Sequence, residues 1–303
     1  MEFVFPKVLA WELTRKCPLA CSHCRAVSVR SAEKIELDAE ECLRVIDSLV
    51  GGGEKPPPMI IWTGGEPMTR PDLVELVRYA KSKGVRSVLA PCGALVNRER
   101  LTALKSAGIE ACSFSIDGHV REVHDAFRGV DGAWDAVKGA IAVAREIGMP
   151  FQVNTVVRKG SVPTHEGSVP THEGSVPTLD AIYDMAMGEG ASRLDLFFLV
   201  PTGRGKSIDS LVPDASEVET AIAWAKGKNV KLTCCPQAGT CIGGRGFAFL
   251  SHTGTLQTCG FVQTPCGNIR DYGFDFMKLV ESAKNPLGVS GNCRSDVQQA
   301  SGI

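Results

Sequence analysis

The 303-residue chain has no excess of charge of either sign, with 33 basic and 34 acidic side chains and a formal net charge of -1. Nucleic acids and anionic membranes bind basic surfaces, so this balance argues against both as partners. No basic N-terminal segment precedes an apolar run, and the apolar stretches are strand-length or broken by charges such as Arg145. We therefore predict neither a secretory signal nor a membrane span, and expect a cytoplasmic protein.

Phosphate-binding loops are also missing. The glycine-rich stretch Gly243–Gly246 has neither the spacing nor the flanking helix of a Rossmann or P-loop motif. Cysteine, by contrast, is abundant, with twelve residues. In a small secreted domain that number would predict disulfides, but in a large chain without an export signal metal or redox chemistry is the better interpretation.

The cysteines are unevenly distributed. Three lie near the N-terminus, six lie close to the C-terminus, and three are isolated between them: Cys17, Cys21 and Cys24; Cys234, Cys235, Cys241, Cys259, Cys266 and Cys293; Cys42, Cys92 and Cys112. We expect the three isolated residues to be buried structural thiols, because free cysteine behaves as a small apolar residue.

Strand-like and helix-like segments alternate from residue 7 to about residue 205 and form six βα-type units. Such alternation predicts a parallel sheet with right-handed crossovers, and six units predict an α/β fold with a partial (βα)6 TIM-like barrel. Functional residues should then lie at the C-terminal ends of the strands. We place a domain boundary near Gly205, which separates residues 1–205 from a Cys-rich extension, residues 206–303, that contains a hairpin turned at His252–Gly254.

A tandem repeat of Gly-Ser-Val-Pro-Thr-His-Glu occupies residues 160–173 and begins a third copy at Gly174. We interpret the repeat as an expanded surface loop between a strand and a helix. A metal-binding role for His165 and His172 is the less favoured alternative.

The first motif with chemical meaning is Cys17–Cys24, a C-x3-C-x2-C pattern directly after the first strand. A structural zinc site prefers four ligands. Three thiolates on one loop instead suit a [4Fe–4S] cluster in which the fourth iron stays open. That iron can chelate the amino and carboxylate groups of a methionine moiety.

Two further motifs follow later strands. Trp62–Pro67 contains Gly64 and Gly65, which let the backbone approach a ligand closely, and Glu66, which offers an acceptor to an ammonium group. Ser113–Gly118 ends the fourth strand. There Ser115 and Asp117 alternate with apolar residues, so they can face the barrel interior and hydrogen-bond a ribose, or simply be polar strand-end residues.

Arg128 and Asn154 complete the set of candidate residues. Arg128 follows the third motif and can pair with a carboxylate or cap a helix. Asn154 is expected to point inward from the fifth strand.

Together these motifs resemble the radical S-adenosylmethionine (SAM) superfamily, over residues 7 to about 205. The resemblance implies the partial barrel and reductive cleavage of SAM to a 5'-deoxyadenosyl radical. It also implies cluster ligands and SAM contacts at matching positions: Cys17, Cys21 and Cys24 for the [4Fe–4S] cluster; Gly64, Gly65 and Glu66 for the methionine end of SAM; Ser115, Asp117, Arg128 and Asn154 for the remainder.

The C-terminal cysteines resemble the SPASM/twitch extension, which holds an auxiliary cluster. The resemblance implies Cys235, Cys241 and Cys259 as its first three ligands and Cys293 as the fourth, with Cys266 as the competitor. A structural zinc on the same thiolates is the alternative. The chain lacks the further cysteines that usually follow Cys293, so a second auxiliary cluster is not implied.

Finer features are similar to the alternative heme-biosynthesis enzymes, namely Trp11–Cys17, Phe197–Gly205 and Ser251–Phe261. That resemblance implies a tetrapyrrole substrate, with oxidative decarboxylation of iron-coproporphyrin III propionates as the reaction and a flavodoxin or ferredoxin as the reductant. The alternatives are a SPASM-type maturase that modifies a peptide, and a non-catalytic relative that binds an iron–sulfur cluster or zinc.

Overall fold

A computed structural model describes residues 3–51, 56–162, 179–233 and 241–284. Within these ranges ten strands form a single sheet in the order β10-β9-β8-β1-β2-β3-β4-β5-β6-β7. Strands β1 to β7 pair in parallel along the chain order. The strands are β1 Val8–Glu12, β2 Met59–Thr63, β3 Ser87–Leu89, β4 Ile109–Ser115, β5 Phe151–Val157, β6 Leu194–Phe198, β7 Val230–Thr233, β8 Phe247–Leu250, β9 Thr255–Gln257 and β10 Gly267–Asn268. The predicted α/β fold is confirmed, and the parallel part of the sheet contains β7 in addition to the six predicted strands.

Helices connect the parallel strands. They are α1 Ala39–Val50, α2 Leu73–Ser82, α3 Arg98–Ala107, α4 Arg121–Arg128, α5 Ala133–Glu146, α6 Leu179–Gly188, α7 Ala215–Ala225 and α8 Phe276–Ser282, with 3-10 turns at Pro67–Thr69, Gly203–Leu211 and Ile269–Tyr272. Asp38 is the N-cap of α1 and forms a capping box with Glu41. No helix of the described ranges is long and apolar enough to cross a membrane.

Side chains alternate between the two faces of each strand, and this alternation separates the core from the functional face. On β1, Leu9 and Trp11 belong to the main hydrophobic core, where Trp11 stacks on Trp62 of β2 with ring centroids 5.5 Å apart. On β5, Val153 and Val157 are buried in the same core. The opposite face of β5 carries the half-buried Asn154. Polar residues therefore line the inner face of the sheet, away from the helices.

The C-terminal strands extend the sheet at both of its edges. Strand β7 joins β6, while β8 pairs in parallel with β1 at the other edge and forms the predicted hairpin with β9. Parallel pairing of β8 with β1 joins residues about 240 positions apart, which no local pattern indicates. Strands from both sides of residue 205 thus share one sheet, and the domain division there stays a prediction.

Candidate active site

The loop of residues 17–24, called the cysteine loop below, begins five residues after β1 ends. Cys17 and Cys21 are buried, Cys24 is half-buried, and all three thiols are free. Cys17 and Cys21 pack with Leu19 and with Ala133 of α5. The Leu19 N–H donates to the Cys17 sulfur at 3.4 Å. The structure thus gathers the three predicted thiols at the C-terminal edge of the sheet, enclosed on one side by apolar side chains.

Gly64 and Gly65 pack against the segment that leads into this loop. A Cβ on Gly64 would lie 2.5 Å from the Thr14 carbonyl oxygen, and one on Gly65 would lie 2.5 Å from the carbonyl oxygens of Arg15 and Lys16. The Gly65 N–H donates to Thr14 at 2.6 Å. The close backbone approach that we predicted is therefore present, but the structure shows it toward the protein's own backbone; approach to a ligand stays a prediction.

Glu66 is fully buried, and its carboxylate accepts two backbone N–H groups, from Met68 at 2.8 Å and from Cys92 at 2.5 Å. Burial raises the pKa of Glu66, although the hydrogen bonds from Cys92 and Met68 oppose that shift. A carboxylate has about four acceptor positions, so these bonds leave room for an ammonium donor. The predicted SAM contact of Glu66 stays a prediction.

Cys92, expected to be a buried structural thiol, is half-buried and lies beside the cysteine loop. It follows β3 and packs against the apolar group that contains Cys17, Leu19 and Cys21. Its N–H donates to the Glu66 carboxylate. Its position just beyond a strand, like that of Cys17, is the sequence signal that distinguishes it. Cys42 and Cys112 are buried in the main core, as expected, and burial raises the pKa of each thiol to about 12.

Arg128 connects the third motif to the cysteine loop. Its Nη2 lies 2.5 Å from Asp117 Oδ2, and its Nη1 lies 3.8 Å from the Cys21 sulfur. Asp117 also accepts the Val156 N–H at 2.7 Å. Although burial raises the pKa of Asp117, Arg128 and nearby histidines bring it below its ordinary value. Arg128 is the last residue of α4, which Gly129 caps, and of the two roles that the sequence left open it takes the pairing with a carboxylate.

The Asp117 carboxylate has partners within the protein. Its carboxylate, expected to bind a ribose, pairs with Arg128 and accepts a backbone N–H from β5, and the ribose contact stays a prediction. Ser115 and Asn154 are neighbours in the register of β4 and β5, and both are half-buried on the inner face. Asn154 accepts a hydrogen bond from Gln152 at 3.2 Å.

The segment after β6 closes the cysteine loop from another side. The Arg204 backbone N–H donates to the Cys24 carbonyl at 3.0 Å, and its Nε donates to the Cys21 carbonyl at 2.9 Å. A Cβ on Gly203 would overlap the Arg25 carbonyl. The loop is thus held by strand ends that are far apart in the sequence.

Two C-terminal thiols of the predicted auxiliary site lie in the described ranges. Cys241 and Cys259 pack with Val200 and Val262 in a small apolar cluster. Gly243 N–H donates to the Cys241 sulfur at 3.4 Å, and Val262 N–H to the Cys259 sulfur at 3.3 Å. Cys266 packs instead against the main core. The other predicted ligands, Cys235 and Cys293, and the histidines of the repeat, lie outside the described residues.

A buried ion network links the two cysteine regions. Glu12, at the end of β1, accepts Arg25 Nη1 at 2.9 Å and lies 2.8 Å from His252 Nδ1. Arg25 follows the cysteine loop, and His252 sits in the turn between β8 and β9. Burial raises the pKa of Glu12, but Arg25 and His252 more than offset this and hold it below its ordinary value.

The donor set of the cysteine loop suits an iron–sulfur cube. In an iron–sulfur cube each thiolate binds a different iron, and backbone N–H groups donate to the sulfurs. The three thiols of the cysteine loop, with Leu19 N–H on Cys17 and the Arg128 guanidinium beside Cys21, fit such a group.

Comparison with known proteins agrees with this geometry. A family model described as the radical SAM superfamily matches residues 11–163, which include the cysteine loop, Gly64–Pro67 and Asp117. An AdoMet-dependent heme synthase of Oleidesulfovibrio alaskensis is 35% identical over 95% of this chain and 80% of its own length. A protein of the same name from Methanosarcina barkeri is 33% identical over 95% of this chain and 87% of its own length.

Among solved structures, Streptococcus suis SuiB bound to its precursor peptide SuiA superposes with a TM-score of 0.66. The match covers 96% of this chain and 67% of that one at 15% sequence identity. At that identity the likeness concerns the fold alone.

Proposed function

Because the chain belongs to the radical SAM superfamily, whose members hold a [4Fe–4S] cluster and SAM, we propose that it decarboxylates propionate side chains of iron-coproporphyrin III to vinyl groups in alternative heme biosynthesis. One observation carries the choice of substrate. The similarity to proteins named AdoMet-dependent heme synthase runs at 33% and 35% identity over 95% of the chain and therefore spans both cysteine regions.

In this proposal Cys17, Cys21 and Cys24 hold the cluster. When bound, the cluster and SAM supply a 5'-deoxyadenosyl radical that abstracts hydrogen. The residues of the chain position the cluster and set the charge around its thiolates. Burial raises the pKa of the Cys21 thiol, and the buried Arg128, whose Nη1 lies 3.8 Å from its sulfur, opposes this rise by stabilising the thiolate. Asp117 fixes the guanidinium, so we propose it as a positioning residue in place of a ribose ligand.

Contacts with SAM come from the neighbouring strand ends in this proposal. Gly64, Gly65 and Glu66 follow β2, and the N–H groups of Gly65 and Glu66 donate to the carbonyls of Thr14 and Lys16, which lead into the cysteine loop. Ser115 and Asn154 lie side by side on the inner face of β4 and β5. Ligands of parallel α/β sheets bind at the C-terminal ends of the strands, which supports this assignment.

Each decarboxylation removes one hydrogen atom from the β-carbon of a propionate, releases carbon dioxide and leaves one electron over. A second redox group near the substrate would accept this electron. We propose that Cys241 and Cys259 hold it, together with Cys235 and Cys293. Support comes from the backbone N–H groups that donate to the sulfurs of Cys241 and Cys259, as the Leu19 N–H donates to the Cys17 sulfur. The flavodoxin or ferredoxin that would supply electrons, and the cytoplasmic location, stay predictions.

The test is to incubate anaerobically reconstituted protein with SAM, a low-potential reductant and iron-coproporphyrin III. Mass spectrometry should show 5'-deoxyadenosine together with successive losses of carbon dioxide and hydrogen from the porphyrin. If 5'-deoxyadenosine forms while the porphyrin mass is unchanged, the substrate assignment is wrong and a peptide-modifying maturase becomes the better interpretation. If neither changes, the protein is a non-catalytic relative.

A further inference from the structure

Arg158 lies at the C-terminal end of β5, and none of the sequence motifs includes it. It continues the alternation of that strand, in which Asn154 and Val156 face inward while Val153 and Val157 lie in the core. Its side chain should therefore point to the inner, functional face. Even so, Arg158 is only 8% exposed.

Two aromatic contacts place this guanidinium near the cysteine loop. Its Cζ lies 4.2 Å from the centroid of the Phe127 ring. The same ring stacks with His23 of the cysteine loop at a centroid distance of 4.4 Å. Phe127 and Arg158 also line a cavity of about 220 Å³, whose other walls come from α4: Glu122, Val123 and Ala126.

The unusual feature is a buried guanidinium that has no counter-ion. Among the described residues no carboxylate forms an ion pair with Arg158, and its Nε has no hydrogen-bond partner. Asp117 is the carboxylate that interacts electrostatically with Arg158, but it is paired with Arg128 at 2.5 Å. Burying an unpaired charge is costly, and a cation–π contact of about 1–2 kcal/mol offsets only part of that cost. A ligand anion would supply the missing partner.

A carboxylate is the anion that suits the Arg158 guanidinium, and Glu122, the acidic residue that also lines the cavity, is exposed to solvent. The guanidinium fork matches two carboxylate oxygens and forms charge-assisted, bidentate hydrogen bonds. The cavity is smaller than the roughly 300–1,000 Å³ typical of a whole small-molecule site. It is therefore suited to one side chain of a larger ligand whose body lies outside it.

We propose that Arg158 binds a ligand carboxylate in this cavity, and that this carboxylate is a propionate of the tetrapyrrole substrate. The inference rests on the proposed function for the identity of the ligand. SAM also carries a carboxylate, so the experiment needs a separate arm for each source.

The experiment uses reconstituted holoprotein and measures binding. Iron-coproporphyrin III and its tetramethyl ester are titrated through their Soret absorption, and SAM is measured by equilibrium dialysis. We expect R158Q to weaken binding of the free acid by about tenfold or more, which corresponds to about 1.4 kcal/mol. The ester, which has no carboxylate, should bind wild type and R158Q equally, and SAM affinity should not change.

The matched control is R86Q, an exposed arginine that pairs with Glu110 ahead of β3, away from the strand ends that form the site. R86Q should leave all affinities unchanged. Melting temperature and iron content show whether each variant is folded. If R158Q does not fold, R158K replaces it. Lysine keeps the charge but lacks the planar guanidinium that binds two carboxylate oxygens, so R158K should weaken binding less than R158Q.

The outcomes separate the inference from the proposed function. Weaker SAM binding in R158Q with unchanged porphyrin binding supports a carboxylate site whose occupant is SAM. If folded R158Q, or R158K in its place, binds both ligands like wild type, the inference is overturned. If wild type itself does not bind the porphyrin, the proposed function fails, and the SAM arm alone decides about Arg158.

Discussion

The cysteine loop is contacted by segments that are distant in the sequence, whereas the hydrogen bonds to the sulfurs of Cys241 and Cys259 come from adjacent residues, and Val200 after β6 packs on them. Gly65 after β2 packs on the segment that leads into the loop, while Arg128 of α4 and Arg204 after β6 contact the loop itself. At the C-terminal thiols, the sulfur contacts come from N–H groups two and three residues onward. The first site is thus joined to the ends of several strands, and the second depends more on local contacts.

This difference indicates how each site should respond to change. Damage to the cysteine loop should affect both the fold around it and all chemistry. Damage to the C-terminal thiols should remove a later step and leave the first intact.

The largest effect is expected from Cys17→Ala. With only two thiolates left on the loop, the cluster should not be retained, and formation of 5'-deoxyadenosine should fall to background. Chromatography of anaerobic reactions with SAM and reductant measures it. Cys112→Ala, a core thiol remote from the loop, is the control and should keep SAM cleavage in the folded fraction. Undiminished cleavage by Cys17→Ala would contradict the assignment of this site.

Cys259→Ala should separate the two regions. We expect 5'-deoxyadenosine to form as in wild type, because the cysteine loop is intact, while decarboxylated porphyrin is reduced at least tenfold. Both products are measured in one reaction. Cys266→Ala should keep both, since that thiol packs against the main core. The reverse pattern would make Cys266, and not Cys259, the auxiliary ligand.

Gly65→Ala tests how rigidly the loop is enclosed. The new methyl group would lie 2.5 Å from two backbone oxygens, which have no room to move without displacing the loop. A loss of about 1–3 kcal/mol in the free energy of unfolding is expected, as for overpacked cores, along with reduced iron content. Denaturant titration gives the first quantity. Gly139→Ala, at a helix position with open space, should be neutral or stabilise by up to about 1 kcal/mol.

The smallest effect concerns Glu12, which joins the two regions through Arg25 and His252. Its pKa in the folded state is lowered, so its contribution to stability is complete above the ordinary pKa of 4.5 and is lost as pH falls through the folded value. The stability difference between wild type and Glu12→Gln should therefore shrink on acidification. Unfolding curves at several pH values measure it. A difference that grows as pH falls would show that the sign is wrong.

The sequence predicted what local patterns encode. Alternating strands and helices gave the six parallel strands, and the spacing of Cys17, Cys21 and Cys24 indicated the cluster loop. Contacts between distant segments were not predictable. Arg128 and Cys21 are 107 positions apart, so the contact between them left no trace in either motif. The same holds for β8 beside β1 and for Cys92 beside Cys17, each of which depends on how the sheet is assembled.

Iron and sulfide analysis after anaerobic reconstitution tests the central claim, that the two regions hold separate clusters, most directly. Wild type should contain about eight irons per chain, and the Cys17/Cys21/Cys24 triple alanine variant about four. An iron content in the triple variant equal to that of wild type would contradict the assignment of the cysteine loop. A content near zero would show that the C-terminal thiols hold no cluster of their own.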